Sequence, residues 1–190
     1  PHLTVVPVST CELSPECRRI MRRFQQQGSL DEQKCHNFTN LMDLLPHDAR
    51  EEVDRIELEE KFPFESLRKV IMGCELNLHL PCDCHSTEVC SRPVSDFNTS
   101  GTPCVDYSRI GKQQKEQGSS GKLLLLWCRA HILLQTPVLL SENTVGEDFT
   151  TVLLELMDPY YTISELGPCK PSDVGVGCLA RSRRRFPTHK

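Results

Sequence analysis

Three short segments set reactive side chains where the chain should bend. Gly101-Thr102-Pro103-Cys104-Val105-Asp106-Tyr107-Ser108-Arg109-Ile110-Gly111 follows a predicted strand and holds a thiol, Cys104, in a turn bounded by proline and glycine. A cysteine so placed can act as a nucleophile, and turns at the carboxyl ends of parallel strands are where α/β proteins bind ligands. Most cysteines nevertheless serve packing. Thr136-Pro137-Val138-Leu139-Leu140-Ser141-Glu142-Asn143 runs an apolar strand into a carboxylate and an amide, although a single strand-end Glu is more often simply solvated. Asp173-Val174-Gly175-Val176-Gly177 leads to Arg181-Ser182-Arg183-Arg184-Arg185-Phe186. Its guanidinium groups suit a phosphate and, on composition alone, equally suit a solvated tail.

A fourth cluster holds Cys74, Cys82, Cys84, His85 and Cys90, with His79 nearby, in the pattern C-x7-C-x-C-H-x4-C. Four thiolate or imidazole ligands would satisfy tetrahedral zinc, with Cys74, Cys82, Cys84 and Cys90 as the thiolate set. The spacing matches no familiar finger or ribbon, so a loop of packed or exposed thiols is the preferred reading and no metal is assigned. A zinc nucleobase deaminase needs Pro-Cys-x-x-Cys, and Pro81-Cys82-Asp83-Cys84 has the wrong interval.

The elements that must position these groups alternate. A β-rich run within Leu3 to Leu13 leads to Ser14-Pro15-Glu16, which supplies a cap, a first-turn proline and an early acid. The helix that follows should turn Cys17, Ile20, Met21 and Phe24 inward and its arginines outward, and stop at Gly28. The patterns predict a short strand and turn over Cys35 to Leu45, helices over Asp48 to Lys61 and Phe64 to Met72, and a long loop from Gly73 to Pro103 ending in a strand near Val94 to Thr99. They further predict a buried helix over Lys122 to Gln135, a buried strand over Pro137 to Leu140, a helix over Glu147 to Met157 and a strand over Tyr160 to Leu166. The fold class is therefore α/β with a mainly parallel sheet.

Composition agrees with one globular unit: 190 residues, 38% apolar, 25% charged and a net charge of −4. An acidic total argues against indiscriminate polyanion binding. The longest strongly apolar run, Leu123 to Cys128, falls far short of the roughly 18 residues needed to span a bilayer. The eleven cysteines read mostly as reduced thiols, since the count is odd and several occupy small apolar positions. Asn37-Phe38-Thr39 and Asn98-Thr99-Ser100 fit a glycosylation triplet of a kind that arises by chance. An opening at Pro1 suggests a fragment or a processed product.

In order, these segments resemble the signature blocks of the cytosine-C5 DNA methyltransferase family: Pro-Cys with a nearby Ser, Glu-Asn-Val, and Gln-x-Arg-x-Arg. Cys104 with Ser108, Glu142-Asn143, and Asp173 through Arg185 carry the likeness, which spans nearly the whole chain. It implies a Rossmann-like sheet that binds S-adenosylmethionine, residues 1–190 as a partial catalytic domain, and 74–99 as a Cys/His-rich insertion. It assigns Cys104 as the thiolate that adds to C6 of a flipped-out cytosine in double-stranded DNA, and Glu142 as the acid at N3, helped by a dry pocket. Asn143 would fix the loop, and Arg181 and Arg183 would serve the thiolate and the phosphates. Glu12 matches the acid that holds the cofactor ribose, Asn40 stands where an Asp usually faces the adenine, Asp43 is a shifted candidate, and Pro103 lines the cofactor side.

The departures are specific. No Phe-x-Gly-x-Gly loop precedes Leu3, so the fold is expected to begin at its second strand and to supply only the nucleoside half of the pocket. Thr102 replaces a proline, Thr144 replaces the usual Val, and the arginine register can shift to Arg183 and Arg185. The family's recognition region and last two blocks have no counterpart before Lys190. The alternatives are an inactive methyltransferase-like module that binds or supports, and a tRNA methyltransferase of the same chemistry. The resemblance implies a nuclear location in a eukaryote and a cytoplasmic one otherwise.

Overall fold

The computed structural model describes residues 6–27, 35–85, 89–103, 105–107, 112–143 and 147–164. The fold is built around α4 (Ser119–Leu134). Leu124, Leu125, Leu126, Cys128 and Ala130 are almost fully buried, and Trp127 and His131 nearly so. A run of leucines this dense is apolar on more than one face, so the helix must be covered on several sides. The cover comes from α3 (Phe64–Gly73), α5 (Glu147–Met157) and a 3-10 turn at Leu41–Leu44. In α3, Phe64, Leu67 and Ile71 form the inward stripe. The preceding α2 (His47–Glu59) packs on it through Ala49, Val53 and Ile56.

Both ends of α4 are closed by specific contacts. Gly118 stands at its N-cap without a side chain to offer, and the fully buried Asp106 takes that role from a distance. Its Oδ2 accepts from the Ser120 amide at 2.8 Å and the Ser119 hydroxyl at 3.4 Å. A Cβ on Gly118 would collide with this carboxylate, and one on Gly121 with the Glu116 carbonyl. At the other end Gln135 takes a left-handed conformation, φ 50°, and returns its amide to the carbonyls of His131 and Ile132.

Two strand–helix–strand units flank this core. β1 (Ser9–Cys11) runs parallel to β2 (His36–Phe38), with α1 (Pro15–Gln27) between them in sequence. β5 (Phe97–Gly101) runs parallel to β6 (Val138–Glu142), with α4 between. Between the units lies an antiparallel pair, β3 (His79–Leu80) and β4 (Cys90–Ser91), inside the stretch expected to be loop. The protein is thus mixed α/β, but its described strands form three separate two-stranded pairs, not one continuous sheet. Among the described residues no helix is long and apolar enough to cross a membrane.

Three expectations are corrected. Ser14 caps α1 as predicted, accepting from the Cys17 amide, but the helix docks on a neighbouring face: Met21 is half-buried and Arg19 and Arg23 are exposed as expected, while Arg18 and Arg22 turn inward. Arg18 and Arg22 pair with Asp83 at 2.8 and 3.0 Å, Arg18 also donates to the Glu12 and Leu13 carbonyls, and Gln25 is buried. Ile20 and Phe24 are left 52% and 68% exposed. The guanidinium groups go inward because a carboxylate and unpaired strand-end carbonyls await them there. β6 is not buried on both sides: Val138 and Leu140 share an exposed face with Phe97, while the other face meets α4, where the Trp127 indole donates to Asn98 at 3.3 Å. Residues 160–164 form no strand. The Tyr161 hydroxyl instead donates to the His131 carbonyl at 2.9 Å, fastening this segment to the end of α4.

The first glycosylation triplet is not presented for modification: Asn37 is buried in β2, where it pairs amide to amide with Gln25 and accepts from Thr10. Asn98 is half-buried and accepts from Trp127 through its Oδ1.

Burial, and secondarily the Arg92 charge, pushes His131 down to about 3 from an ordinary value of 6.5, while its Nδ1 lies 2.9 Å from the Thr136 hydroxyl. It stays neutral in the fold and takes a proton on unfolding below pH 6.5. Unfolding free energy should therefore fall as pH drops from about 6.5 toward 3, by at most about 1.4 kcal/mol per unit from this group. Urea titrations at stepped pH should show a shallower fall for His131→Gln.

Candidate functional site

The carboxyl ends of β5 and β6 bring two of the sequence segments together. Gly101 is in register with Glu142, and a Cβ at Gly101 would lie 3.5 Å from the Glu142 carboxylate. One residue on, the Asn143 amide donates to the Thr102 hydroxyl at 2.8 Å and to the Thr102 carbonyl at 3.3 Å. Asn143 therefore fixes the turn that leads to Cys104. Pro103 is exposed beside it. Farther along the turn, Asp106 is locked to the start of α4, and Tyr107 meets Phe149 edge-on at 5.3 Å. Thr102 on one side and Asp106 and Tyr107 on the other are thus each anchored.

Glu142 differs from expectation in one respect. Its side chain is exposed, so the dry pocket that would favour a carboxylic acid is not formed by the described residues. The register explains this, because Glu142 falls on the uncovered face shared by Phe97, Val138 and Leu140. Cys104, Ser108, Arg181, Arg183 and the whole of 173–185 lie outside the described residues.

The ends of β1 and β2 carry the residues expected at a nucleoside. Glu12 follows β1, its amide donates to the Phe38 carbonyl at 3.1 Å, and its half-buried carboxylate accepts from the Ser14 amide at 2.7 Å. Asn40 follows β2, but its side chain caps the 3-10 turn by accepting from the Met42 amide at 3.0 Å. Asp43 pairs with Arg50 at 3.2 Å. Of the three, Glu12 alone keeps a half-buried carboxylate of the kind that can accept from hydroxyl groups, whereas Asn40 and Asp43 are committed to local structure.

The Cys/His stretch assembles in a way the spacing did not suggest. Cys74 caps the end of α3, where its thiol donates to the Ile71 carbonyl at 3.4 Å and the Cys74 carbonyl accepts from Arg129 at 3.1 Å, and it is not part of a ligand cluster. Cys84 and His79 are also outside it. The side chains that converge are His36, Cys82, His85 and Cys90, with all four candidate ligand atoms within 4.8 Å of one another. His36 escapes sequence reasoning because it lies 46 residues before Cys82, inside what reads as an ordinary strand. Asp106 escapes it as well; the only trace in sequence is a helix that begins Gly118-Ser119-Ser120 without an acid of its own.

A cleft of about 270 Å³ lined by Phe64, Glu65, Glu116, Gln117, Val152 and Glu155 has no residue in common with either strand end, and its acidic lining does not suit a polyanion. No protein-family model, curated protein or solved structure matches the chain.

Removing the two anchors of the turn should cost unequal amounts. Asp106→Ala leaves the buried Ser120 amide at α4 unpaired and should lower stability by about 2 kcal/mol. Asn143→Ala removes partly buried bonds and should cost about 1 kcal/mol. Denaturant midpoints at neutral pH would check the order, and an Asp106→Ala midpoint equal to that of the unaltered chain would contradict the capping role.

Proposed function

We propose that this chain is part of a catalytic domain that transfers a methyl group from S-adenosylmethionine to C5 of cytosine in double-stranded DNA. The observation that carries this reading is the Asn143–Thr102 pairing above the Gly101–Glu142 register, which sets the Glu-Asn step beside the turn leading to Cys104. Parallel strand ends joined through a helix are a favourable place for such a site. Bound S-adenosylmethionine would supply an electrophilic sulfonium methyl. The Cys104 thiolate adds to C6 of the base, and the displaced electron pair is accommodated through N3 as Glu142 delivers a proton there. C5 is thereby made nucleophilic and takes the sulfonium methyl, the carbon–sulfur bond breaking with its electron pair left on sulfur as a neutral thioether; loss of the C5 proton to solvent then expels the Cys104 thiolate from C6, and the N3 proton returns to Glu142 as the aromatic ring is restored.

Glu12 would hold the ribose, and Asn143 would keep the two reacting segments in register. Arg181 and Arg183 would lower the thiol's pKa and grip phosphates flanking a flipped nucleotide. The exposure of Glu142 requires that the base itself, or chain beyond the described residues, supply the covering that dries the acid.

DNA carrying 5-fluorocytosine, incubated with the full-length protein that bears this chain and with S-adenosylmethionine, should trap a covalent adduct, because fluorine at C5 cannot leave as a proton. Cys104→Ser should abolish trapping, and Glu142→Gln should slow it about a hundredfold. Adduct formed as readily by Cys104→Ser would place the nucleophile elsewhere and remove the basis of this function.

A further inference from the structure

We propose that His36, Cys82, His85 and Cys90 form a structural zinc site that clamps the β3–β4 pair onto β2. The distances suit one small ion. Cys82 Sγ and Cys90 Sγ lie 3.4 and 3.3 Å from His85 Nδ1, and Cys82 Sγ lies 3.9 Å from His36 Nδ1. In a tetrahedral site with Zn–S of about 2.3 Å and Zn–N of about 2.0 Å, neighbouring ligand atoms stand roughly 3.3 to 3.8 Å apart. Ordinary hydrogen bonding explains the cluster less well. Two sulfurs converge on a single imidazole nitrogen, which has one lone pair at most and cannot accept from both thiols. One cation attracts all four atoms at once.

The backbone already holds each ligand in place. His36 belongs to β2 and stacks on Phe38 at 5.7 Å with ring planes 3° apart. Cys82 is fixed by an antiparallel bridge to Phe38 and by the Asp83 amide, which donates to the Asn37 carbonyl at 2.9 Å. Cys90 lies opposite Leu80 in the β3–β4 pair, and Cys82 and Cys90 are each 9% exposed. His85 enters from the turn that follows Cys82, its ring 4.7 Å from that of His36.

The donor set selects the metal. Two thiolates with two imidazoles suit zinc, whereas calcium and magnesium require oxygen ligands. A two-iron cluster would hold the cysteine pair and the histidine pair on different irons, farther apart than the 4.8 Å that encloses all four atoms. Binding releases the two thiol protons, and the two thiolates then neutralise the divalent ion. Four protein ligands leave no open position, which makes the site structural and not catalytic. This inference is independent of the methyltransferase reading.

The reduced 190-residue chain, purified without chelator and dialysed against zinc, should contain about one zinc per chain by elemental analysis. Cys82→Ser and Cys90→Ser should reduce this to near zero, whereas Cys74→Ser and Cys84→Ser should retain it. Should the ligand variants fail to fold, cobalt(II) titration of the unaltered chain tests the site without any substitution. One equivalent should produce the intense visible bands of tetrahedral cobalt with thiolate charge transfer. A zinc content below a tenth per chain, loss of metal in Cys84→Ser, or a weak octahedral cobalt spectrum would each overturn the assignment.

Discussion

A helix buried on most of its sides cannot leave its end groups to water, and that requirement at α4 organises much of the protein. The first turn needs acceptors at its amides, and Asp106 supplies one from inside the turn after β5. The last turn needs its carbonyls covered, and Gln135, Thr136 and Tyr161 provide the donors. Each of these contacts is also a constraint on the neighbouring strand ends. Closing the N-terminus of α4 fixes the turn that leaves β5, and closing its C-terminus fixes where β6 begins. One contact, Asp106 to the start of α4, thus both satisfies a buried helix end and fixes residues 105–107 after β5.

The two strand–helix–strand units solve the same docking problem by different means. Around α4 the attachment is apolar, with leucines and aromatic rings removed from water on several faces. Around α1 it is polar: guanidinium to carboxylate, guanidinium to carbonyl, and the reciprocal amides of Gln25 and Asn37. Such an arrangement specifies one orientation, because every donor must meet its acceptor, while contributing less stability than an equal area of hydrocarbon. The β3–β4 pair is only two residues long on each side, and it is held by the buried Leu80, by the Phe38–Cys82 bridge and by the cysteines and histidines gathered there.

What could be read from sequence follows this division. α2, α3 and α5 have apolar spacing that matches their burial, and their predicted limits agree with the structure to within a residue or two. The parallel pairing of β5 with β6 was also legible in outline, because two runs of strand-forming residues are separated by one helix. The orientation of α1 was not. Periodicity assumes that long cationic side chains seek solvent, and here Asp83, 65 residues beyond Arg18, reverses the preference. His36 and Asp106 share that difficulty: each acts on a segment that only the folded chain brings near. The exposure of β6 was hidden for another reason, since an apolar run states that a strand can be covered and not that anything covers it.

The polar seating of α1 gives the molecule two parts with different responses to ionic strength. Arg18 and Asp83 retain 16% and 31% side-chain exposure, enough for mobile ions to enter their field. Added salt weakens that attachment while strengthening hydrocarbon burial around α4 when the anion is strongly hydrated, such as sulfate. Electrolyte conditions therefore act in opposite directions on the end of the chain that carries Glu12 and on the core that carries Asn143. Any property that needs both ends together should pass through an optimum with salt concentration.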